Sequence, residues 1–365
     1  MRRKRLLRFC LLLAVVGGFA GMIYGLASTE RNTSGSVAAN GGAGADAQTT
    51  PATEVADPFE GQPMTAERAR LIGANEMGYI LVVVYNNISP SAGGADTRTP
   101  DELRDDLSLL WSKGFYPINI SDLATGDIDI PAGKFPVAIT FDGSSPGQYR
   151  VLDDGTLDGA CALGIMEDLS DKGYWFPRAT FFCLTDVVPR ENRLFGQSER
   201  YQEKLRNLTD WGYEVGSNTM TGVNLATASE DTIRQELAGS QAKLRELIGS
   251  DYAATSLAVS NGRYPDATSL VASGTWQTFT YEYTAVVSLE EAFCPSPFST
   301  VFDPVRIPRI TSAGDNLSAA IEELLANRSV LYISDGDPVT MSAPADLPAA
   351  LGQPVTGLGR PIIRY

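Results

Sequence analysis

The residues of this chain that could do chemistry are one aspartate, one arginine and a set of amide and aromatic side chains. Asp142 directly follows the apolar run Val137 to Phe141 and precedes a Gly-Ser-Ser-Pro-Gly turn. A carboxylate at the end of a buried strand can act as a general base in hydrolysis, and an aspartate before such a turn is also a common turn former. Because the 365 residues include no histidine, acid–base catalysis by histidine is excluded.

The amide and aromatic side chains indicate a different chemistry, which is the recognition of sugars. Asparagine amides pair with hydroxyl groups, and aromatic ring faces pack on the apolar faces of pyranose rings. Several of the asparagines follow predicted strands, where asparagine is also a frequent turn residue. The candidate sugar-binding residues are Tyr85, Asn86, Asn87, Asn218, Asn224, Asn261, Arg263 and Tyr264.

Six sequence blocks occur in a fixed order along most of the chain. The main ones are residues 136–148, which contain Thr-Phe-Asp-Gly, residues 178–183 and residues 211–225; weaker ones are residues 82–90, 257–264 and 302–309. In this order and at this spacing, the blocks resemble the polysaccharide deacetylase family, carbohydrate esterase family 4, whose unit is the NodB homology domain. The first block of that family reads Thr-Phe-Asp-Asp-Gly, and the resemblance extends from about residue 76 to residue 335.

The resemblance implies a metal centre whose ligands this chain lacks. In the family, an aspartate and two histidines hold a divalent metal, usually zinc, beside the aspartate that serves as general base. The base position is Asp142 here, whereas the ligand positions, which we expect on two adjacent strand ends, are Gly143, Asn218 and Gly222. Zinc requires about three nitrogen, sulfur or carboxylate donors and an open position, so we predict that no zinc binds. Arg309 matches an arginine that orients the base in relatives.

A site for a harder metal ion is an alternative. Asp335 and Asp337 follow a predicted last strand, Val330 to Ile333, and we expect them to point into the same site as Asp142 and Asn218. Carboxylate and amide oxygens suit calcium or magnesium. The sequence Ser-Asp-Gly-Asp-Pro is equally typical of an ordinary turn.

Short apolar runs alternate with longer amphipathic segments from residue 76 onward, which predicts a parallel sheet covered by helices. The predicted strands are 79–85, 137–141, 180–184, 256–259, 285–287 and 330–333. One predicted helix starts after Thr99 and ends at Gly114. The other predicted helices span 158–172, 198–211, 229–248 and 316–326. The resemblance implies that residues 61–365 form a distorted (β/α) barrel, in which loops at the carboxyl ends of the strands carry the site.

The N-terminal residues predict export. A basic cluster, Met1 to Arg8, precedes an uncharged and mostly apolar run from Phe9 to Ala27. Residues 1–27 are therefore predicted to be a membrane anchor with the domain outside or, because Gly25-Leu-Ala27 suits cleavage, a removed signal peptide. Residues 28–60 are rich in small and polar residues and are predicted to be a disordered linker.

Charge and cysteine content restrict the partners further. The formal net charge is −15, and the exported part is more acidic still because the basic cluster precedes it, so nucleic acid is excluded as a partner. Export permits disulfides, but Cys161, Cys183 and Cys294 are odd in number, so at most one pair forms. Their spacing matches no metal or redox motif, and we expect buried, unreactive thiols.

The sequence thus predicts an exported, membrane-tethered or secreted member of the polysaccharide deacetylase family that acts on or binds acetylated cell-envelope glycans. Loss of the metal ligands predicts a catalytically inactive or impaired protein without a cofactor. Two alternatives stay open at this point. One is an active deacetylase with an unconventional metal site, and the other is a scaffold of the cell envelope without glycan affinity.

Overall fold

The computed structural model describes residues 62–365, apart from 92, 95, 175–176 and 357–358. These residues belong to one compact unit, Ala56–Tyr365. The predicted anchor at 1–27 and the predicted linker at 28–60 lie outside the described residues. Within the described part, no helix has the length and apolarity that a membrane span requires.

Short strands and mostly longer helices alternate along the described residues. The strands are β1 (Leu81–Tyr85), β2 (Asn87–Ile88), β3 (Thr97–Arg98), β4 (Phe115–Ile118), β5 (Phe135–Asp142), β6 (Thr180–Cys183), β7 (Glu214–Ser217), β8 (Ser256–Ala258), β9 (Ser273–Trp276), β10 (Phe279–Glu282), β11 (Ala285–Val287), β12 (Ile310–Thr311), β13 (Met341–Ala343) and β14 (Ile362–Arg364). The helices are α1 (Ala66–Ile72), α2 (Pro100–Ser112), α3 (Ile120–Thr125), α4 (Ala162–Asp171), α5 (Tyr201–Trp211), α6 (Glu230–Ile248), α7 (Ser269–Ala272) and α8 (Asn316–Ala326).

The main sheet is parallel, as predicted. Its strands follow the order β11-β8-β7-β6-β5-β1-β12, and β4 pairs with the first half of β5. Strands buried on both faces are expected to be apolar throughout, and every residue of β1 and β6 is buried. Because β1, β5, β6, β7 and β8 are parallel neighbours in this sheet, their carboxyl ends lie side by side.

The segment before β12 joins the two ends of the curled sheet. Ile310 pairs with Val83 of β1, and Ile307 forms a parallel bridge with Val287 of β11. The Ser288 N–H donates to the Ile307 carbonyl at 3.0 Å. One short segment thus hydrogen-bonds to both edges, which is the arrangement of a distorted barrel.

Alternate residues along the strands point to opposite faces of the sheet and therefore pack into two different apolar cores. One core fills the inside of the curled sheet and includes Val82, Ala138, Phe182, Ala258 and Val287. The other lies between the sheet and the helices and includes Leu81, Val83, Val137, Ile139 and Phe181. Truncating a residue of either core to alanine removes buried contacts, which costs about 2–5 kcal/mol for a leucine, isoleucine or methionine.

Helix ends follow the capping signals in the sequence. Thr99 caps α2 through a reciprocal pair of bonds, because its hydroxyl accepts from the Glu102 N–H at 3.2 Å and its own N–H donates to the Glu102 carboxylate at 2.7 Å. Ser229 caps α6 by accepting from the Thr232 N–H at 3.2 Å. Both predicted helix starts are found.

The structure differs from the sequence-based expectation at several segments, which include the unpredicted strands β4 and β12. The predicted strand Val330 to Ile333 is wrong as a barrel strand, because Leu331 and Ile333 form only isolated bridges, to Tyr79 and Asn75. The strand β7 was not predicted, since Glu214 and Gly216 break its apolar run. Its burial comes from β6 and β8, which pair with it on either side.

The three cysteines of the described part are free and buried. Burial raises the pKa of the thiols of Cys161, Cys183 and Cys294. A raised thiol pKa lowers the thiolate fraction, so these residues are structural rather than reactive.

Candidate functional site

A buried ion pair lies at the centre of the barrel mouth, which we define as the loops at the carboxyl ends of β1, β5, β6, β7, β8 and β11. Asp142 ends β5, and Arg309 directly precedes β12. The two guanidinium nitrogens Nη1 and Nη2 each donate to one carboxylate oxygen of Asp142 at 2.7 Å. The predicted base and its predicted orienting arginine are therefore in direct contact.

Arg309 is held from several sides, which fixes the ion pair. Its side chain is fully buried, whereas 13 % of the Asp142 side chain is exposed. Arg309 also donates to the Ser288 carbonyl at 3.1 Å and to the Thr140 hydroxyl at 3.1 Å, and its guanidinium lies 5.7 Å from the centroid of the Phe182 ring. Because Arg309 engages both oxygens of Asp142, the carboxylate is held in one orientation at the mouth.

Gln148 is a buried residue of the mouth that the sequence analysis missed. Its amide nitrogen donates to the carbonyls of Asn86 at 2.5 Å and Asp142 at 2.6 Å, and thereby ties the ends of β1 and β5 together. Its side-chain oxygen is buried and has no hydrogen-bond partner among the described residues. A fully buried acceptor of this kind suits a donor supplied by a buried water molecule.

The three positions that the sequence analysis assigned to metal ligands carry no suitable side chains. Gly143 has φ +87° and an added Cβ would enter open space, whereas Gly222 has φ +79° and an added Cβ would lie 3.4 Å from Leu184. The Asn218 amide nitrogen donates to the Ala258 carbonyl at 2.9 Å. The expectation of adjacent strand ends was wrong, because β6 pairs with both β5 and β7 and separates them by about 10 Å.

A glutamate on a helix holds the loop that carries Gly222. One carboxylate oxygen of Glu236 accepts from the N–H groups of Met220 at 2.9 Å and Thr221 at 2.8 Å, and the other accepts from the Thr221 hydroxyl at 2.7 Å. Two successive N–H groups that converge on one carboxylate form an anion-binding turn. The loop is thus fixed by a carboxylate from α6, a contact that no local sequence signal could predict.

A buried lysine fixes the loops after β5 and β6. The Lys204 ammonium donates to the carbonyls of Tyr149 at 3.0 Å, Phe195 at 2.9 Å and Gly196 at 3.2 Å. Burial lowers the pKa of Lys204 to about 8. Since three carbonyls match the three donors of an ammonium, this contact stabilises one wall of the mouth.

Several predicted sugar-binding residues are occupied by structural contacts. The Tyr85 side chain has no exposed surface, its ring stacks on Phe141, and its hydroxyl donates to Asp106 at 3.2 Å. Tyr264 is half-buried, and its hydroxyl donates to the Val305 carbonyl at 2.9 Å. The ring of Tyr85 is therefore inaccessible to a sugar, and the hydroxyl of Tyr264 is already engaged.

The other predicted residues divide into exposed and turn-forming ones. Asn261 and Arg263 follow β8 and are exposed at the mouth, while Asn87 is exposed in β2. Asn224 forms a turn, because its side-chain oxygen accepts from the Ala226 N–H at 3.1 Å. Asn86 contributes its backbone carbonyl to Gln148. The structure thus brings Asn218, Asn261 and Arg263 to the same mouth as Asp142.

The predicted oxygen-rich metal site is wrong, because its aspartates lie at the opposite end of the barrel. Ser334, next to Asp335, exchanges backbone hydrogen bonds with Gly133 and Lys134 at the start of β5. The eight residues of β5 separate that end from Asp142 by about 23 Å. The Asp335 carboxylate accepts from the Ser342 hydroxyl at 2.6 Å, and Asp337 follows it in the same turn.

Glu76 and Asp335 form a buried carboxylate pair, and burial shifts the pKa of both groups. Burial, together with the Asp335 carboxylate, raises the pKa of Glu76 well above its usual range, and burial raises the pKa of Asp335. Both carboxylates accept hydrogen bonds from backbone and hydroxyl donors. The pair lies at the amino end of the barrel and has no part in the mouth.

The donors at the mouth do not fit a divalent metal of the kind the family uses. In the part of the chain that the structure describes, no three histidine, cysteine, aspartate or glutamate side chains are grouped to hold an ion. Asp142 is adjacent to Gly143, and Arg309 engages both of its oxygens, while Glu236 beside Gly222 accepts from Met220 and Thr221. A zinc site with one shared carboxylate and one amide would lack at least one strong donor.

Comparison with known proteins agrees with the architecture. The family model for polysaccharide deacetylase matches residues 130–276, which include Asp142, Gly143, Asn218 and Gly222. Among curated protein sequences, none matches this chain.

Two solved structures of similar fold come from Bacillus species. A polysaccharide deacetylase of Bacillus cereus is 16% identical, with a TM-score of 0.50, and the match covers 67% of this chain and 68% of that one. A Bacillus anthracis protein assigned as a polysaccharide deacetylase is 15% identical, with a TM-score of 0.50, and the match covers 67% of this chain and 69% of that one. At this identity the likeness concerns the fold.

Proposed function

Because this chain belongs to the polysaccharide deacetylase family, we propose that its barrel mouth binds acetylated cell-envelope glycans and does not deacetylate them. The observation that supports this proposal is which residues the mouth has and which it lacks. The ion pair and the loop contacts that shape a deacetylase-like site are present, while the ligand positions are occupied by two glycines and an asparagine. Binding needs only the shape and the polar groups, whereas hydrolysis of an acetyl group also needs activated water.

The polar groups of the mouth suit a neutral, acetylated sugar. Asn261 and Arg263 are exposed, and their side chains offer an amide and a guanidinium group. An acetyl carbonyl could accept from either side chain, and a sugar hydroxyl could donate to the amide oxygen of Asn261. These groups would give affinity without any proton transfer.

We expect the full-length chain to bind N-acetylated chitohexaose in the presence of a metal chelator and to release no acetate from it. Replacing Asn261 and Arg263 together with alanine should weaken binding about tenfold, since a hydrogen bond contributes about 0.5–1.5 kcal/mol and one to a charged group contributes more. Isothermal titration calorimetry and an acetate assay provide the two readouts. Arg206→Ala, on the outer surface of α5, is the matched control and should bind as the parent does.

The outcomes separate the alternatives. Acetate release that the chelator abolishes would identify an active deacetylase with a metal site of another kind. Absence of affinity for acetylated oligosaccharides and for peptidoglycan fragments would favour the scaffold. Equal loss in the double variant and in Arg206→Ala would contradict binding at the mouth.

The proposal includes the location of the domain outside the membrane. It is supported by the basic cluster and the apolar run that precede residue 28. We expect the protein to fractionate with membranes and its folded domain to be digested by protease added outside. N-terminal sequencing tests this directly, because a soluble secreted chain that begins at Ser28 would show that the segment is a cleaved signal peptide.

A further inference from the structure

A wide groove lies at the edge of the mouth, beside the loop that follows β11. It runs between residues 291–293, β12 and helix α8, and has a volume of about 800 Å³. Pockets of about 300–1,000 Å³ hold small ligands or a few units of a polymer. The groove begins one hydrogen bond from the mouth, because the Glu291 N–H donates to the Arg309 carbonyl at 3.1 Å.

Two aromatic rings line one side of the groove. Tyr79 and Phe293 are half-buried, and their ring centroids are 6.5 Å apart with a tilt of 35°. The Tyr79 hydroxyl donates to the Ala350 carbonyl at 3.3 Å, which helps to orient the ring. Aromatic faces carry partial negative charge and attract a cation within about 6 Å.

Two exposed carboxylates line the same groove. Both oxygens of Glu291 lie 3.3 Å from the N–H of Thr311, so its position is fixed. Glu323 projects from α8, on the helix stripe that also presents Asn316, Ala319 and Ala320. Neither glutamate has an ion-pair partner among the described residues, and the residues that line the groove include no lysine or arginine.

We propose that this groove binds a cationic, amine-bearing glycan, such as a de-N-acetylated stretch of a polysaccharide. The aromatic faces and the two carboxylates attract ammonium groups, and the small side chains of Ala319 and Ala320 on α8 leave room for a sugar ring. A neutral sugar would gain only from the rings, and an anionic sugar would be repelled by the glutamates. The ligand class therefore differs from that of the mouth, which offers neutral donors, an arginine and an acceptor.

The groove and the mouth together would let one domain contact a partly acetylated polymer at two points. Acetylated units would lie at the mouth and free amines in the groove. The groove site does not depend on the mouth, since each set of residues can be changed without altering the other. Failure of one proposal can therefore be distinguished from failure of the other.

The test measures binding of a glucosamine hexasaccharide to the full-length chain at low ionic strength. The parent is expected to bind this cationic probe, and raising the salt concentration should weaken that binding because salt screens the charge pairs. The double variant Glu291→Gln with Glu323→Gln should bind the cationic probe about tenfold more weakly, because two charge pairs are lost. Its affinity for N-acetylated chitohexaose should stay unchanged.

Two control variants match these changes in charge and in aromatic area. Glu322→Gln removes an exposed charge from the same helix but not from the groove, and Phe279→Ala removes an exposed ring from the β9–β10 hairpin. Both should bind the cationic probe with an affinity within about twofold of that of the parent. Phe293→Ala should bind this probe more weakly than the parent does. No binding of the cationic probe, or a loss in Glu322→Gln as large as in the groove variant, would overturn the proposal. Thermal unfolding of each variant verifies that the protein is folded.

Discussion

Replacing Arg309 with alanine is expected to lower the free energy of unfolding by about 3–5 kcal/mol, as is typical when one partner of a buried ion pair is removed. The variant leaves the Asp142 carboxylate largely buried without its cation. It also leaves the Ser288 carbonyl and the Thr140 hydroxyl without the donor that now reaches them. Denaturant unfolding followed by circular dichroism measures the loss.

The controls for this prediction separate the ion pair from the side chain. Arg234→Ala removes a half-buried arginine that pairs with the exposed Glu230 at 2.8 Å, and it should cost less than about 1 kcal/mol. The double variant Asp142→Leu with Arg309→Met removes both charges and should lose less stability than Arg309→Ala alone. If Arg309→Ala were no more costly than Arg234→Ala, the ion pair would not organise the mouth.

Restoring the three family ligands is expected to create a zinc site. The triple variant Gly143→Asp, Asn218→His, Gly222→His supplies three donors around the mouth, and tetrahedral zinc needs about that number plus an open position. Without metal the variant should be less stable than the parent, because two of the new side chains occupy left-handed backbone at φ +87° and φ +79°. Such strain costs about 1–2 kcal/mol per residue.

Zinc should recover part of that loss, since a ligand that binds only the folded state stabilises it. The matched control is the triple alanine variant at the same positions, which carries the strain without the donors. We expect added zinc to raise the unfolding temperature of the histidine variant and to leave the alanine variant unchanged. Any acetate release should stay far below that of an intact enzyme, because the partners that orient the ligands are absent and matter about 10- to 100-fold.

Much of the fold follows from local sequence signals. The caps at Thr99 and Ser229 and the apolar run of β5 depend on neighbouring residues, so the sequence predicts them well. The pairing of Asp142 with Arg309 was predicted from the resemblance alone, since Arg309 precedes its strand and the convergence of carboxyl strand ends does not place it. The false strand at 330–333 is apolar because it packs against the amino end of the barrel, and periodicity does not distinguish that position from a barrel strand.

The residues that the sequence did not reveal act through contacts that are distant along the chain. Gln148 joins β1 to β5, Glu236 reaches the β7 loop from α6, and Lys204 reaches carbonyls of two other loops. None of these has a local motif, so only the folded chain identifies them. Asp335 was misplaced for the opposite reason. Its position after an apolar run predicted a place at the mouth, whereas the folded chain puts it at the amino end of the barrel.

The zinc content of the purified full-length chain is the most direct test that the mouth has lost its metal centre. The protein should carry a purification tag without histidine, be incubated with excess zinc, and be dialysed before elemental analysis, with the triple histidine variant treated in parallel. The account predicts far less than one zinc per parent chain and a clear gain in the variant, because Gly143, Asn218 and Gly222 leave too few donors. Near-equimolar zinc on the parent chain would contradict it.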